Sequence, residues 1–149
     1  MYKMLWIVLF APLFMLFQAY QIDQEMAVHT LFKAKYSLNY GVHAAAQQVD
    51  MEKLSQGVLS IDEEAALETA MSYLRANLQL DEANLPLPGA FLQARVQLLV
   101  FEVINEEASF PYTYVNSAYD YTVTLNRPGV ISIIQVEYPQ IYGVMAPIV

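Results

Sequence analysis

The chain has 149 residues, with 7 Lys and Arg against 15 Asp and Glu and a formal net charge of −8. That length holds one domain of ordinary size, or a small domain joined to one long helix. The acidic balance excludes binding that rests on neutralising nucleic-acid phosphates, and the lack of cysteine excludes disulfide scaffolds and thiolate metal sites. Charged residues make up 15% and apolar residues 56%, whereas soluble domains carry about 25% charged residues; part of this chain is built for surroundings other than water.

Met4 to Ile22 is a run without a formal charge, close to the ~20 residues that span a bilayer as a helix. Lys3 precedes it while Asp23 and Glu25 follow, which places the N-terminus in the cytoplasm and residues 23–149 outside. A cleaved secretory signal needs a shorter apolar core and a small-x-small site, for which Ala19-Tyr20-Gln21 is a poor match. A permanent single-pass anchor fits the length. So does a helix that starts in the membrane and is later buried among copies of itself, and this is the expectation. Leu5, Trp6, Leu9, Phe10, Pro12, Leu13, Leu16 and Phe17 then form the membrane and filament-core surface. Pro12 removes one backbone hydrogen bond, so a kink or local melting is expected between Val8 and Pro12.

Beyond Ile22 no proline occurs until Pro86, and Val28, Leu31, Leu38, Val42, Ala45 and Val49 follow at steps of 3, 7, 4, 3 and 4. This pattern predicts that the helix continues, with a packing stripe, through residues 23–56. One helix from Met4 to Ser55 would reach about 78 Å at ~1.5 Å per residue, more than a domain of this size can enclose. Gly41 costs roughly 1 kcal/mol relative to Ala inside a helix, and Ala44-Ala45-Ala46 lets a neighbouring helix approach closely. The neighbour is either the chain's own globular part or another subunit, and different faces can serve both. The intersubunit set is Val28, Leu31, Leu38, Gly41, Val42, Ala45 and Val49. His29 and His43 lie roughly 21 Å apart along such a helix at ~1.5 Å per residue, too far to share a metal. Glu25 with His29, and His29 with Lys33, stand four residues apart as weak surface pairs.

The remaining residues, 57–149, read as a globular α+β head. Ser60-Ile61-Asp62-Glu63 has the form of a capping box, and Leu67, Ala70, Met71, Leu74 and Leu78 continue it at helical spacing, predicting a second, shorter helix from Ile61 to Leu80. Its acids Asp62, Glu63, Glu64 and Glu68 complement the helix dipole and need no further purpose. Leu85-Pro86-Leu87-Pro88-Gly89 is a turn-rich link, after which the period changes from helix to strand. Gln93 to Ile104 is apolar on both faces at its middle, as a central strand or one covered on both sides would be. Tyr121 to Leu125 alternates, Asn126-Arg127-Pro128-Gly129 suits a type II turn, and Val130 to Tyr138 completes a predicted hairpin. With Tyr112 to Val115 as an edge, the expectation is a three- to four-stranded antiparallel sheet on which the helices pack. Six tyrosines between positions 112 and 142 suit sheet faces and subunit surfaces equally.

No phosphate-binding, dinucleotide, zinc-protease, nucleophile-elbow or calcium-loop motif occurs, so no catalytic residue, metal or cofactor is assigned and the chain is not expected to be an enzyme. The apolar stretch Leu5 to Tyr20, followed by the Ala-rich amphipathic Tyr36-Ser37-Leu38-Asn39-Tyr40-Gly41-Val42-His43-Ala44-Ala45-Ala46-Gln47-Gln48-Val49-Asp50, resembles the type IV pilin superfamily, most closely its tight-adherence (TadE-like) pilus proteins. Where that superfamily carries a glutamate near the start of its helix, this chain has Leu5. The resemblance implies a pilin-like fold and a structural subunit of an extracellular helical filament. Its partners would be membrane lipid before assembly, the assembly machinery, and copies of itself. Acids on one copy would meet Lys3, Lys33 or Lys35 on another, so that Lys3, Asp23, Glu25, Lys33 and Lys35 set the register. The alternative is a single-pass membrane-anchored accessory protein, pseudopilin or binding protein whose exterior domain never polymerises.

Overall fold

A computed structural model describes residues 2–140 and Tyr142; Met1, Ile141 and 143–149 of the head lie outside the described residues. Helix α1 runs unbroken from Tyr2 to Ala45, about 66 Å at ~1.5 Å per residue. It stays helical through Pro12, so the expected local melting does not occur. It also ends ten residues before the predicted stop at Ser55. Gln47 and Gln48 close a tight turn on the carbonyls of Ala44 and Ala45, and the chain then extends so that Val49 bridges Ile61. A separate short helix, α2 (Met51–Ser55), starts at Asp50, whose side chain accepts from the backbone N–H groups of Glu52 and Lys53.

Helix α3 spans Glu63–Leu78. Its cap is Asp62, which accepts from the Ala65 N–H, and not the Ser60 of the predicted capping box. Ser60 is unavailable because its backbone carbonyl accepts from the Asp50 N–H in the antiparallel bridge and its side chain is buried. At the other end Gln79 takes a left-handed conformation with its N–H on the Arg75 carbonyl, which closes α3.

Among the described residues four antiparallel strands follow: β1 (Gln97–Ile104), β2 (Tyr112–Asn116), β3 (Tyr121–Leu125) and β4 (Gly129–Gln135). They form two ladders, β1 with β4 and β2 with β3. The hairpin expected between Tyr121–Leu125 and Val130–Tyr138 is therefore corrected. Asn126 to Pro128 does not fold β3 back onto β4, because Gly129 already faces Ile104 at the start of the outer ladder. The β2–β3 hairpin is thus an excursion nested inside the β1–β4 pair. Among the described residues β1 pairs with β4 alone, so it is not a central strand, and its register shifts between Leu98 and Val100.

Among the described residues the core has two parts. Near the end of α1, Ala45, Ile61, Ala66, Ala70 and Val130 are buried with Val42, Phe101 and Val103 against them. Near the end of α3, Leu74, Leu78, Leu80, Leu92 and Val96 are buried with Met71, Phe91 and Ile134. All of it lies beside the second half of α1, and the first half projects.

Candidate functional site

The feature that most needs a purpose is the surface of α1. Every described side chain from Tyr2 to Gln18 is exposed, including Leu5, Trp6, Leu9, Phe10, Pro12, Leu13, Leu16 and Phe17. This part of the helix is long and apolar enough to cross a membrane, and none of its apolar window is buried within the chain. Full burial of one Leu, Ile or Phe is worth about 1.5–3 kcal/mol, so an environment that covers this segment gains many such increments together.

Past Ile22 the helix divides into two faces. Thr30, Ala34, Ser37, Gly41 and Ala45 are buried against the head. They are small, which brings α3 so near that a Cβ on Gly41 would stand 3.0 Å from the Ala70 carbonyl oxygen. The hydroxyls among them are already satisfied: Thr30 donates to the Met26 carbonyl at 2.8 Å and Ser37 to the Lys33 carbonyl at 2.7 Å. Counting only large apolar residues missed this face. The readable signal was the spacing of four in Thr30–Ala34 and Ser37–Gly41–Ala45, answered by Ala66–Ala70 on α3.

Of the residues assigned to packing between subunits, Gly41 and Ala45 are thus used within the chain, while Leu38, Val42 and Val49 are half-buried beside the head. Val28 and Leu31 remain open, Leu31 at 64% exposure. With Phe32, Tyr36 and Tyr40, also exposed, they form a ridge along α1 that extends the apolar surface beyond the membrane-length segment. Phe32 and Tyr36 stack with ring centroids 6.2 Å apart.

The assigned register charges separate in the same way. Asp23 is fully buried, and its Oδ1 accepts the Tyr142 N–H at 3.2 Å, which ties the returning C-terminal segment to α1. Lys33 places its Nζ 5.4 Å from the centre of the Phe91 ring, and His29 meets the edge of the same ring. Lys3, Glu25 and Lys35 are exposed.

Two polar clusters hold the head together. Asn105 uses both ends of its side-chain amide on one residue, accepting from the Ile61 N–H at 2.8 Å and donating to the Ile61 carbonyl at 2.9 Å. Next to it Lys53 reaches Glu106 at 2.7 Å and the hydroxyl of buried Ser60 at 3.3 Å. Hydrogen bonding to Lys53, then to its own backbone and to Ser60, lowers the Glu106 carboxyl to about 2, and Glu106 in turn raises the Lys53 ammonium. A lysine held in its charged form next to a buried hydroxyl is not a base that can activate it, so this arrangement is a latch between α2 and the end of β1. The nested hairpin is held to the outer ladder by Tyr114, which donates to Glu102 at 2.9 Å and accepts from Asn116 at 3.1 Å. Asn116 favours the ionised phenol, but partial burial and Glu102 outweigh it and raise the hydroxyl above its ordinary value.

Among the described residues no group of three His, Cys, Asp or Glu side chains is arranged to hold a metal ion. A groove of about 730 Å³ runs between the end of α1 and the β3–β4 connection, lined by Leu38, Tyr40, His43, Tyr121, Arg127 and Ile131 among others. Comparison with models of protein families, with curated proteins and with solved structures finds no match.

Proposed function

We propose that this chain is a structural subunit of an extracellular pilus-like helical filament, held in the membrane by the first half of α1 until it polymerises. The observation that carries this reading is a second exposed apolar surface on the same helix, beyond the membrane-length segment. Past the polar positions Gln21, Gln24 and Glu25 the apolar surface resumes at Val28, Leu31, Phe32, Tyr36 and Tyr40, a ridge about 18 Å long at ~1.5 Å per residue. A lone anchor leaves that ridge in water. A filament covers it, and lipid followed by copies of the same chain would bury the whole rod in turn.

The N-terminus lies in the cytoplasm, as Lys3 before the segment and Glu25 after it favour, and the head lies outside. Polymerisation packs the rods of successive copies into a core through a contact that does not close on itself, the geometry that gives a fibre and not a ring. Assembly machinery extracts the chain from the membrane, since the same side chains are at low energy in lipid. Lys3, Lys35 and Glu25 remain as the charges that align one rod with the next.

Electron microscopy of material sheared from cells that express the chain tests the proposal, with deletion of residues 2–20 as the control. Thin fibres that contain the protein and vanish in the deletion support it. Protein that stays with the membrane and gives no fibre overturns it in favour of a membrane-anchored accessory subunit.

A further inference from the structure

The link between α3 and β1 is unusually well tied for a surface loop. Asp81 accepts at one carboxylate oxygen from the N–H groups of Ala83 and Leu85, at 2.9 and 2.8 Å. Arg75 reaches the Asn84 side chain and the Glu82 carbonyl, and Arg95 reaches the Ala83 carbonyl. Leu80 and Pro86 bridge, and the Leu87 N–H returns to the Gln79 carbonyl at 2.8 Å. All this order presents leucines to the outside: Leu85 is 46% and Leu87 47% exposed. A loop made only to connect two elements gains nothing from holding leucines rigidly in water.

Its place in the fold supplies the reason. Helix α3 runs antiparallel to α1, with Ala70 at Gly41 and Ala66 beside Ala45, so its C-terminus points back toward the apolar half of the rod. Phe91, at the end of the loop, rests on His29 and Lys33, about two and three turns above Ile22 at ~3.6 residues per turn. The chain after β4 returns to the same end, where Tyr142 bonds to Asp23 and leaves its ring exposed, and Tyr20 is exposed just below. The loop with the exposed leucines, the returning C-terminal segment and Tyr20 therefore all lie toward the end of the head from which the apolar helix leaves. That is the composition of a membrane–water boundary, where aromatic rings and apolar side chains sit at the level of the headgroups.

We propose that the base of the head is a lipid-contacting surface, with Leu85 and Leu87 entering the interfacial layer and Tyr20 and Tyr142 at headgroup level. This rests on the reading that residues 4–22 span a membrane. The contact holds the head against the bilayer before assembly and fixes how far the ridge from Val28 to Tyr40 stands above the lipid.

The absence of cysteine makes the test direct. Leu9→Cys, Leu67→Cys, Leu85→Cys and Leu87→Cys, each in the full chain and labelled with an environment-sensitive dye, are reconstituted in phosphatidylcholine vesicles that carry nitroxide quenchers at a shallow or a deep position. All four side chains are exposed, so labelling leaves the packing intact. The expected result is loss of emission at Leu85 and Leu87 with the shallow quencher, loss at Leu9 with the deep one, and no loss at Leu67 on the first half of α3. Quenching at Leu9 with Leu85 and Leu87 as unaffected as Leu67 overturns the lipid contact and leaves the membrane span standing. No quenching at Leu9 overturns both. Shielding of Leu87 that no lipid quencher reaches, and that grows with the protein-to-lipid ratio, assigns the surface to a second copy and overturns the proposal.

Discussion

Replacing Gly41 by Ala sets two opposed terms against each other in one residue. Within a helix Ala is favoured over Gly by about 1 kcal/mol, so on an open face the substitution stabilises. Here the new Cβ meets the Ala70 carbonyl oxygen at 3.0 Å, with the Ala70 Cα at 3.6 Å behind it. The obstacle is the backbone of a second helix, not the end of a flexible side chain, and that backbone is held by the buried contacts of Ala66, Ala70 and Leu74. The helices must separate by a few tenths of an ångström, and overpacking of this kind costs about 1–3 kcal/mol. The expected balance is a net loss of about 1 kcal/mol for Gly41→Ala, which lowers Tm by about 2–4 °C in a chain of this size, and a larger loss for Gly41→Val. Thermal and urea unfolding of the full chain in detergent, followed by near-ultraviolet circular dichroism, measures both. If Gly41→Ala raises stability by the full helix-propensity increment, the close approach of α1 and α3 is wrong, and so is the reason given for the small residues along that face.

The remaining predictions concern the latches and the rod. Asn105→Ala leaves both buried polar groups of Ile61 without partners, at about 1–3 kcal/mol for each unsatisfied group; urea midpoints should show a loss several times that of Ser109→Ala, which lies on the nearby exposed loop. Glu106 is lowered to about 2 from its ordinary 4.5, so the stability it contributes is complete above 4.5 and disappears as pH falls toward 2. Glu106→Gln should therefore be less stable than the parent in neutral solution and converge with it near pH 2, and a gap that persists at the acid end would refute the Lys53 pairing as its source. Tyr114→Phe removes the bond to Glu102 and should speed amide exchange in β2 and β3 while leaving β1 and β4 slow; equal acceleration in both ladders would show that the hairpin does not open by itself. Leu31→Glu places a charge on the exposed ridge and should leave the melting curve of the isolated subunit unchanged while abolishing fibres; fibres of normal yield would remove the ridge from the proposed interface.

The sequence discloses this molecule unevenly, for physical reasons. The long first helix, the shorter α3 and the strand-rich C-terminal half follow from period and length, because a helix or strand advertises the face it buries. The end of α1 was not legible. Apolar spacing continues through Val49, and what stops the helix is a long-range bridge to Ile61 that no local pattern encodes. The cap of α3 moved to Asp62 for the same reason, since the competing Ser60 is held in that bridge. Strand pairing was misread because Pro128-Gly129 is good turn chemistry wherever it stands, and nothing near it reveals that Gly129 faces Ile104. In the candidate site, the exposed apolar rod was readable residue by residue. The buried face opposite the ridge was readable only in part, at Gly41 and Ala45 and through the spacing of its small residues, because close packing of two helices selects residues for smallness and not for hydrophobicity.

The nesting of β2 and β3 inside the β1–β4 ladder has a practical consequence. Ile104 and Gly129 are partners across that ladder, so the chain leaves for the hairpin and returns from it at almost one point. A segment with adjoining ends is a natural insertion site, because the scaffold senses only where the guest begins and finishes. The hairpin's own tip, at Ser117 to Asp120, is exposed and takes no part in either core cluster. A foreign peptide placed there would be carried on the head, and a polymer of the proposed kind would display it at every repeat.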